Sequence, residues 1–264
     1  QMKKILFFGC GNISQSLIKG LLNNGFNNED IFFKDRSIRN HKIPNKMGIS
    51  KFRESQKKDV GIIFLAVKPK DALNAFKEIT TEFKNPKIVS LVAGIKSKSY
   101  MSISNKNELI RAMPNTSSAS NNGITGIFNY SSKNTTLSRV KTIFKKVGSV
   151  IVFEKENEMH EFTGLIGSGP AYFYYLLKVY EKRILKICKG DKKMTEKILK
   201  TFIKGVSMSV SNHANMDDLI NKVASKKGTT EAGIKSLIND KALSIFNDAI
   251  NAASKRSKEI SDEF

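Results

Sequence analysis

Cysteine, histidine and proline are scarce in this chain, and their scarcity excludes several kinds of site. The 264 residues include two cysteines, three histidines and five prolines. Cys10 and Cys188 stand far apart and the histidines are scattered, so nothing has the spacing of a zinc site or a redox motif. We therefore expect no metal, no disulfide and no Cys/His nucleophile.

Long apolar runs are also missing. The most apolar stretches, residues 62–67 and 171–177, are far shorter than the roughly 20 residues that a membrane-spanning helix needs. Near the start, Lys3 and Lys4 lead directly into a strand-like run without the apolar region of a signal peptide. We expect a protein that does not contact membranes and is located in the cytoplasm or an organellar matrix.

Positive charge, in contrast, is abundant. There are 45 lysines and arginines against 24 acidic residues, a formal net charge of +21. Such a charge is common in proteins that bind nucleic acids. Here the lysines are spread along the whole chain, and no zinc-finger, basic-zipper or RNA-binding aromatic pattern accompanies them. We interpret them as a coat on solvated faces and expect no nucleic-acid partner; a basic binding protein without catalysis is the alternative.

The first part of the chain alternates strand-like apolar runs with segments of helical period. The strand candidates are residues 5–8, 31–33, 60–67, 88–92, 123–128 and 150–153. Strands that alternate with helices and are apolar throughout are typical of a parallel sheet covered by helices on both faces. The sequence therefore predicts an α/β domain with a doubly wound parallel sheet.

From about residue 156 the strand signals give way to long helical stretches. Breaks occur at Gly190-Asp191, at His213-Ala214-Asn215 and at Lys227-Gly228. This change predicts a second, all-helical domain. We place the first domain at residues 2–157 and the second at residues 158–264, with the boundary near residues 154–160.

A glycine-rich turn joins the first strand candidate to the first helical pattern. Its residues are Gly9-Cys10-Gly11-Asn12-Ile13-Ser14. Gly9 permits a tight turn, Gly11 lets the backbone approach a pyrophosphate, and the first-turn amides of the helix present unpaired N–H groups to that anion. Ser14 holds the third small position of the motif and still allows close helix–strand packing. The turn therefore predicts a dinucleotide-binding domain.

The second strand candidate ends in a charged group. In dinucleotide folds an acidic residue about 20 positions beyond the loop hydrogen-bonds the adenosine ribose. Asp35 occupies that position, but Lys34, Arg36 and Arg39 flank it, and cations suit a 2′-phosphate instead. The residues therefore leave NAD and NADP open, and an ordinary solvated loop is the structural alternative.

Four further segments, together with the glycine-rich turn, resemble the pyrroline-5-carboxylate reductase family in order and spacing. They are Ala66-Val67-Lys68-Pro69, Arg111-Ala112-Met113-Pro114-Asn115-Thr116, Gly167-Ser168-Gly169-Pro170-Ala171-Tyr172 and Ser225-Lys226-Lys227-Gly228-Thr229-Thr230. Each alone is a weak signal, but the five in series cover the chain and are highly specific. The resemblance implies an N-terminal Rossmann-type domain and a C-terminal all-helical dimerisation domain, which forms an intertwined homodimer that is often assembled into larger rings.

The resemblance also implies a reaction. Members of the family reduce the C=N bond of 1-pyrroline-5-carboxylate to L-proline with hydride from NADPH or NADH. Because the cofactor carries the chemistry, the protein mainly has to align the reactants, which fits a sequence without a catalytic triad or a metal motif. A reductase of the same architecture acting on another cyclic imine or keto acid is the alternative.

The Ala66-Val67-Lys68-Pro69 segment follows a strand at the carboxyl edge of the sheet, where ligands of open α/β sheets bind. Its structural alternative is a plain strand-to-helix turn. The resemblance implies that this segment lies along the cofactor and that Ala93 and Asn115 lie nearer the nicotinamide. The predicted cofactor-binding residues are Gly9, Gly11, Asn12, Ile13, Asp35, Arg36, Arg53, Ala66, Val67, Lys68, Pro69, Ala93 and Asn115.

The last of the four segments is predicted to bind the substrate. A loop that ends in Gly228-Thr229-Thr230 before a helix offers backbone N–H groups and two hydroxyls to a carboxylate. The resemblance implies that Ser225, Gly228 and Thr229 hold this carboxylate, and that Thr230 hydrogen-bonds the ring nitrogen and is the catalytic residue. Glu156 matches, by ungapped count, a family position near the substrate amine. An N-cap by Thr229 or Thr230 is the structural alternative.

The chain departs from the family pattern in its charged residues. Lys226-Lys227 stand where the family usually has Pro-Gly, and Arg53 and Lys222 stand where it usually has Asn. Lys227 lacks the conformational freedom of glycine, so we expect altered substrate affinity rather than lost function. Arg53 could contact a 2′-phosphate, which favours NADPH slightly.

An apolar stripe follows the Gly167 segment. Its residues recur with helical spacing: Tyr172, Leu176, Val179, Tyr180 and Ile184. This spacing favours a helix whose stripe lies in the core or in the dimer interface rather than against a cofactor.

Overall fold

The computed structural model describes residues 3–212 and 215–263. The chain divides into two compact units, one formed by Gln1–Ser168 with Ile250–Phe264 and the other by Gly169–Ala249. We call them the sheet unit and the helical unit. The predicted break at His213-Ala214 and the predicted domain ends at Met2 and Phe264 lie outside the described residues. A domain boundary between residues 157 and 158 stays a prediction.

Eight strands form the sheet of the first unit. They are β1 (Lys4–Phe8), β2 (Ile31–Lys34), β3 (Ser50–Lys51), β4 (Val60–Leu65), β5 (Lys87–Ser90), β6 (Glu108–Met113), β7 (Gly123–Asn129) and β8 (Gly148–Phe153). Their order in the sheet is β3-β2-β1-β4-β5-β6-β7-β8. The direction of strand order therefore reverses between β1 and β4, which is the point at which open α/β sheets bind ligands.

Helices connect these strands and make up the second unit. They are α1 (Asn12–Asn23), α2 (Lys42–Lys46), α3 (Ala72–Glu82), α4 (Ser97–Met101), α5 (Asn134–Lys145), α6 (Glu158–Phe162), α7 (Gly169–Ile187), α8 (Lys192–Ser211), α9 (Met216–Val223), α10 (Thr229–Asn239) and α11 (Ala242–Asp262). Short 3₁₀ turns lie at Asn28–Asp30, Ile38–His41, Glu54–Asp59, Pro69–Asp71 and Thr116–Ser120, and a π-helical turn lies at Thr163–Gly167.

The sheet is buried on both faces because apolar side chains alternate between two cores. In β1, Ile5 and Phe7 belong to one cluster of buried residues, and Leu6 and Phe8 belong to the other. Successive side chains of a strand point to opposite faces, so an uninterrupted apolar strand needs cover on both. This is why the apolar runs predicted the doubly wound sheet, which the structure confirms.

One pair of strands departs from the parallel arrangement of the sheet. β6 and β7 are antiparallel, whereas β7 and β8 are again parallel to each other. Only nine residues separate Met113 from Gly123, and a parallel crossover needs a dozen or more. The chain therefore turns back through the short 3₁₀ turn at Thr116–Ser120. β6 itself was not among the predicted strands, since only the turn after it was recognised.

The helical unit leaves many apolar side chains exposed within the single chain. In the predicted stripe, Leu176, Val179 and Tyr180 are 47%, 57% and 47% exposed. Tyr180 stacks on Phe202 of α8 with ring centroids 5.1 Å apart. The stripe therefore does not form the core of this unit. The other predicted place for it is the dimer interface. Among the described residues, none of the helices is long and apolar enough to span a membrane.

Gly20 on α1 generates a test of this packing. A Cβ built there would lie 2.0 Å from the carbonyl oxygen of Ser118 and 2.9 Å from a Val147 methyl. We expect Gly20→Ala to lower the free energy of unfolding by about 1–3 kcal/mol, because a backbone carbonyl cannot move aside as a side chain can. Urea unfolding measures the change. Lys19→Ala on the exposed face of the same helix is the control, and equal stability of the two variants would contradict the close approach.

Candidate functional site

The turn after β1 has a backbone conformation that only glycine adopts easily. Gly9 has φ +97°, and a Cβ on it would lie 2.4 Å from the carbonyl oxygen of Ala66. Its N–H donates to the carbonyl oxygen of Lys34 at 2.7 Å. Gly9 therefore lets the ends of β1, β2 and β4 meet, and both the conformation and the contact exclude a side chain.

The second glycine of the turn faces open space. Gly11 is the N-cap of α1 and makes no side-chain capping hydrogen bond, and a Cβ on it would meet nothing within 4 Å. Asn12 and Ile13 follow in the first turn of the helix. The amides of such a turn have no partner within the helix, so this end of α1 has room and donors for a pyrophosphate. The residues present therefore fit a dinucleotide.

Asp35 fixes the turn from the end of β2. Its Oδ2 accepts hydrogen bonds from the Cys10 N–H at 2.6 Å and from the Asn40 side chain at 2.9 Å, and its Oδ1 accepts from the Ser37 N–H at 2.7 Å. Asp35 thus organises the loop, and one lone pair of Oδ1 remains for a ribose hydroxyl.

Cys10 itself is not a nucleophile. Burial, together with the charge of Asp35, raises the pKa of its thiol to about 12, so the thiol stays protonated at neutral pH. Ser14, the third small residue of the motif, is buried and donates its hydroxyl to the Gly9 carbonyl at 2.8 Å. In the part of the chain that the structure describes, no His, Cys, Asp and Glu side chains cluster as metal ligands do.

A pocket of about 400 Å³ opens beside this turn. Seven of the residues predicted to bind the cofactor line it: Gly9, Gly11, Asp35, Arg36, Ala66, Val67 and Lys68. Pro69 begins the 3₁₀ turn that follows Lys68. Arg53 is not brought to this pocket, since it lines a separate one with Asn45 and Gln56.

The remaining predicted cofactor residues lie after β5 and β6. Ala93 packs against the small cluster of Met113, Met159 and Phe162. Asn115 is buried, and its Oδ1 accepts a hydrogen bond from the Ile124 N–H at 3.1 Å. Both residues follow strands that pair in parallel, so they belong to the same carboxyl edge as the pocket.

Sequence reasoning missed one part of the pocket wall. Glu78 on α3 lines the pocket, and its carboxylate contacts the Lys34 Nζ at 2.9 Å and the Arg36 Nη2 at 2.8 Å. Glu82, one turn further along α3, also contacts the Lys34 Nζ, at 2.7 Å. The one sequence signal was an acidic pair at i and i+4 on a predicted helix, which usually marks a solvated face.

Glu156 lies in a buried ion pair. Its Oε1 accepts hydrogen bonds from the Arg111 Nη1 at 2.9 Å and from the N–H and hydroxyl of Ser97, each at 2.7 Å. The Arg111 side chain is only 2% exposed. Burial favours a higher pKa for Glu156, but the bonds from Arg111 and Ser97 outweigh it and lower the pKa below the usual value of 4.5. Sequence reasoning did not foresee this pair, and a role of Glu156 in substrate binding stays a prediction.

The loop predicted to bind substrate lies in the helical unit. Gly228 is the N-cap of α10 and receives no side-chain capping bond, so the N-cap interpretation of Thr229 and Thr230 is wrong. Within the described residues, neither threonine hydroxyl has a hydrogen-bond partner, and Thr230 is half-buried. Lys227 has φ +57°, the left-handed conformation that glycine adopts most easily. Its N–H donates to the Glu231 carboxylate.

The glycine turn, the carboxylate at the end of β2 and the pocket between them define a dinucleotide-binding protein of the α/β class.

Two family models match the chain: NADP oxidoreductase coenzyme F420-dependent over residues 4–94, and pyrroline-5-carboxylate reductase dimerisation over residues 156–260. The chain is 31% identical to pyrroline-5-carboxylate reductase of Staphylococcus epidermidis, over an alignment of 271 positions that covers 98% of each protein. It is 32% identical to pyrroline-5-carboxylate reductase 2 of Bacillus subtilis, covering 100% of this chain and 97% of that one. The chain belongs to the pyrroline-5-carboxylate reductase family.

Solved structures agree with this assignment. The pyrroline-5-carboxylate reductase of Coxiella burnetii superimposes with a TM-score of 0.84 at 26% identity, over 99% of both chains. The fold also matches the NADP-bound pyrroline carboxylate reductase of Plasmodium falciparum, with a TM-score of 0.84 at 24% identity over 98% of both chains. The predicted fold class, a sheet domain followed by a helical dimerisation domain, is therefore confirmed.

The buried ion pair generates a prediction about stability. We expect Glu156→Gln to lower the free energy of unfolding at neutral pH by about 2–3 kcal/mol, because it leaves the buried Arg111 without a counter-charge. The folded pKa of Glu156 lies below its usual value, so its contribution is present above that value and is lost as the pH falls through the folded pKa. Urea unfolding at several pH values should therefore show the difference from wild type shrinking in acid.

Glu158→Gln is the matched control for this variant. The Glu158 carboxylate accepts one hydrogen bond, from the Lys155 N–H at 2.7 Å, on an exposed surface. We expect a change of at most about 1 kcal/mol. A Glu156→Gln variant as stable as this control would show that Arg111 does not depend on Glu156.

Proposed function

We propose that this protein reduces the C=N bond of 1-pyrroline-5-carboxylate to L-proline with a hydride from NADPH or NADH. The observation that carries the proposal is the match to curated pyrroline-5-carboxylate reductases over nearly the whole chain. The dinucleotide turn at Gly9 and Gly11 supports it, because both glycines have the geometry that a bound pyrophosphate needs.

The cofactor's nicotinamide supplies the hydride, and the protein's own residues bind and orient. Gly11 and the first turn of α1 hold the pyrophosphate, and Asp35 holds the turn. Ala66, Val67, Lys68 and Pro69 border the cofactor, and Ala93 and Asn115 border the nicotinamide. Holding the two reactants aligned in this way lowers much of the activation barrier, so the reaction needs little acid–base catalysis.

The loop before α10 is proposed to bind the substrate. Ser225, Gly228 and Thr229 bind its carboxylate through backbone N–H groups and hydroxyls. Thr230 hydrogen-bonds the ring nitrogen and stabilises the proton there, so that the imine carbon accepts the hydride more readily. Support comes from the free threonine hydroxyls and from the position of Gly228 at the helix N-terminus. Glu156 remains a weaker candidate for a contact with the substrate amine.

The cofactor preference is proposed to favour NADPH slightly. Lys34, Arg36 and Lys68 line the pocket beside Asp35, and guanidinium and ammonium groups suit a 2′-phosphate. The sequence-based argument from Arg53 is weaker, since Arg53 lines a different pocket. Asp35 provides the acceptor that NADH needs, so we expect both cofactors to be used.

The protein is also proposed to act as a homodimer. The match to the dimerisation model over residues 156–260 supports a dimer, as do the exposed apolar side chains of α7 and α8. A ring of dimers, a cytoplasmic location and the absence of a nucleic-acid partner stay predictions.

The test of the function is the fall in absorbance at 340 nm when the protein is mixed with 1-pyrroline-5-carboxylate and either NADPH or NADH. We expect oxidation of both cofactors and formation of proline. Cofactor binding without turnover would contradict this substrate and would favour another cyclic imine or keto acid. Salt-sensitive binding of nucleic acid without any cofactor binding would support the basic binding protein.

Thr230 carries the sharpest prediction about catalysis. We expect Thr230→Ala to lower kcat by about 10- to 100-fold, because one oriented hydrogen bond to the reacting group is lost. Thr230→Ser keeps the hydroxyl and should retain most of the activity, whereas Thr142→Ala, on the exposed surface of α5, should leave the rate unchanged. Turnover by Thr230→Ala at the wild-type rate would show that the hydroxyl has no part in the reaction.

A further inference from the structure

Two cations at the end of β2 share one carboxylate from α3. Glu78 Oε1 lies 2.9 Å from the Lys34 Nζ, and Glu78 Oε2 lies 2.8 Å from the Arg36 Nη2. Glu78 thus bridges the two side chains with separate oxygens. Neither contact was predictable from local sequence, since Lys34 and Glu78 are 44 residues apart in the chain.

This bridge forms part of the wall of the cofactor pocket. Lys34, Arg36 and Glu78 all line it, together with Asp35 and Gly9. The end of the second strand faces the adenosine ribose in dinucleotide folds, and a 2′-phosphate is bound by a cation near that point. Two of the cations near this position, Lys34 and Arg36, are therefore already paired with Glu78.

The two cations are held to different degrees. The Lys34 Nζ also contacts Glu82 Oε1 at 2.7 Å and lies 5.0 Å from the centre of the Phe8 ring. The Arg36 side chain is 78% exposed, and within the described residues Glu78 is its one ion-pair partner. Removal of Glu78 would therefore release Arg36 while Lys34 stayed in place.

Glu78 remains charged under the conditions of the reaction. Burial favours a higher pKa for this carboxyl, but the hydrogen bonds from Lys34 and Arg36 outweigh it and hold the pKa below its ordinary value. At neutral pH the carboxylate competes with a 2′-phosphate for the same donors and also repels it. The ribose hydroxyls of NADH carry no charge, so they are not repelled in this way.

We propose that Glu78 determines the discrimination between NADPH and NADH by neutralising Arg36 and repelling the 2′-phosphate. This inference rests on the proposed function, because it assumes a dinucleotide in the pocket. It predicts that the site favours NADPH over NADH less than its cations alone would. Glu78 acts on the cofactor's adenosine end and is not a catalytic residue.

The test is a measurement of cofactor binding without substrate. NADPH and NADH are titrated separately into the full-length protein by isothermal calorimetry, with wild type and Glu78→Gln compared at the same salt concentration. We expect Glu78→Gln to bind NADPH about tenfold more tightly, on the scale of one close charge in a partly exposed site. Its affinity for NADH should change by less than about twofold.

Glu82→Gln is the matched control. It removes the same charge from the same helix and also contacts Lys34, but it does not contact Arg36 or line the pocket. We expect it to leave the ratio of the two affinities nearly unchanged. The double variant Arg36→Ala with Glu78→Gln, compared with Arg36→Ala alone, should lose most of the gain in NADPH affinity if Glu78 acts through Arg36.

The outcomes separate the inference from the function on which it rests. One outcome is that the wild-type protein binds both cofactors and that Glu78→Gln leaves the ratio of NADPH affinity to NADH affinity unchanged or lowers it. That result would overturn the inference and leave the proposed function intact. Wild-type protein that binds neither cofactor would overturn both. Glu78→Ala removes the carboxylate in a second way, and we expect from it the same rise in the ratio of NADPH affinity to NADH affinity. Thermal unfolding checks that each variant is folded.

Discussion

The hydrogen bond from the Cys10 N–H to the Asp35 carboxylate joins the turn after β1 to the end of β2, and the cofactor pocket depends on it. The turn reaches this carboxylate because Gly9 has a positive φ and lies against the Ala66 carbonyl. Three strand ends thus meet around one residue without a side chain. The space beyond Gly11 and the direction of α1 follow from that meeting, so a single tight turn sets the position of the dinucleotide pocket.

Short ion pairs, rather than the net charge, give the sheet unit its local electrostatics. The chain carries a net charge of +21, yet three cations of the sheet unit, Lys34, Arg36 and Arg111, are paired with specific carboxylates. Glu78 pairs with Lys34 and Arg36 beside the pocket, and Glu156 pairs with the buried Arg111. Charges a few ångströms apart in partly buried places interact far more strongly than solvated lysines at a distance. The lysine coat therefore says little about what the site binds.

The two units carry different parts of the proposed function. The sheet unit holds the dinucleotide turn and its pocket, whereas the helical unit holds the Thr230 loop and an apolar surface on α7 and α8. Lys227 of this loop has the left-handed conformation that glycine would adopt without strain. A lysine at this position therefore costs conformational energy. The loop keeps its shape because the Lys227 N–H donates to Glu231 and Gly228 donates to the Ser225 carbonyl.

The sequence by itself determined the elements that depend on near neighbours. Apolar runs placed the strands around Phe7 and Phe64, and the glycines at 9 and 11 marked the turn, because burial on two faces and a positive φ leave local signatures. Tertiary structure alone decided the antiparallel return at β7, the distance of Arg53 from the pocket, the Arg111–Glu156 pair and the Glu78 bridge. These features join residues far apart in the chain, and the contacts between such residues are set by how strands and helices pack rather than by any local pattern.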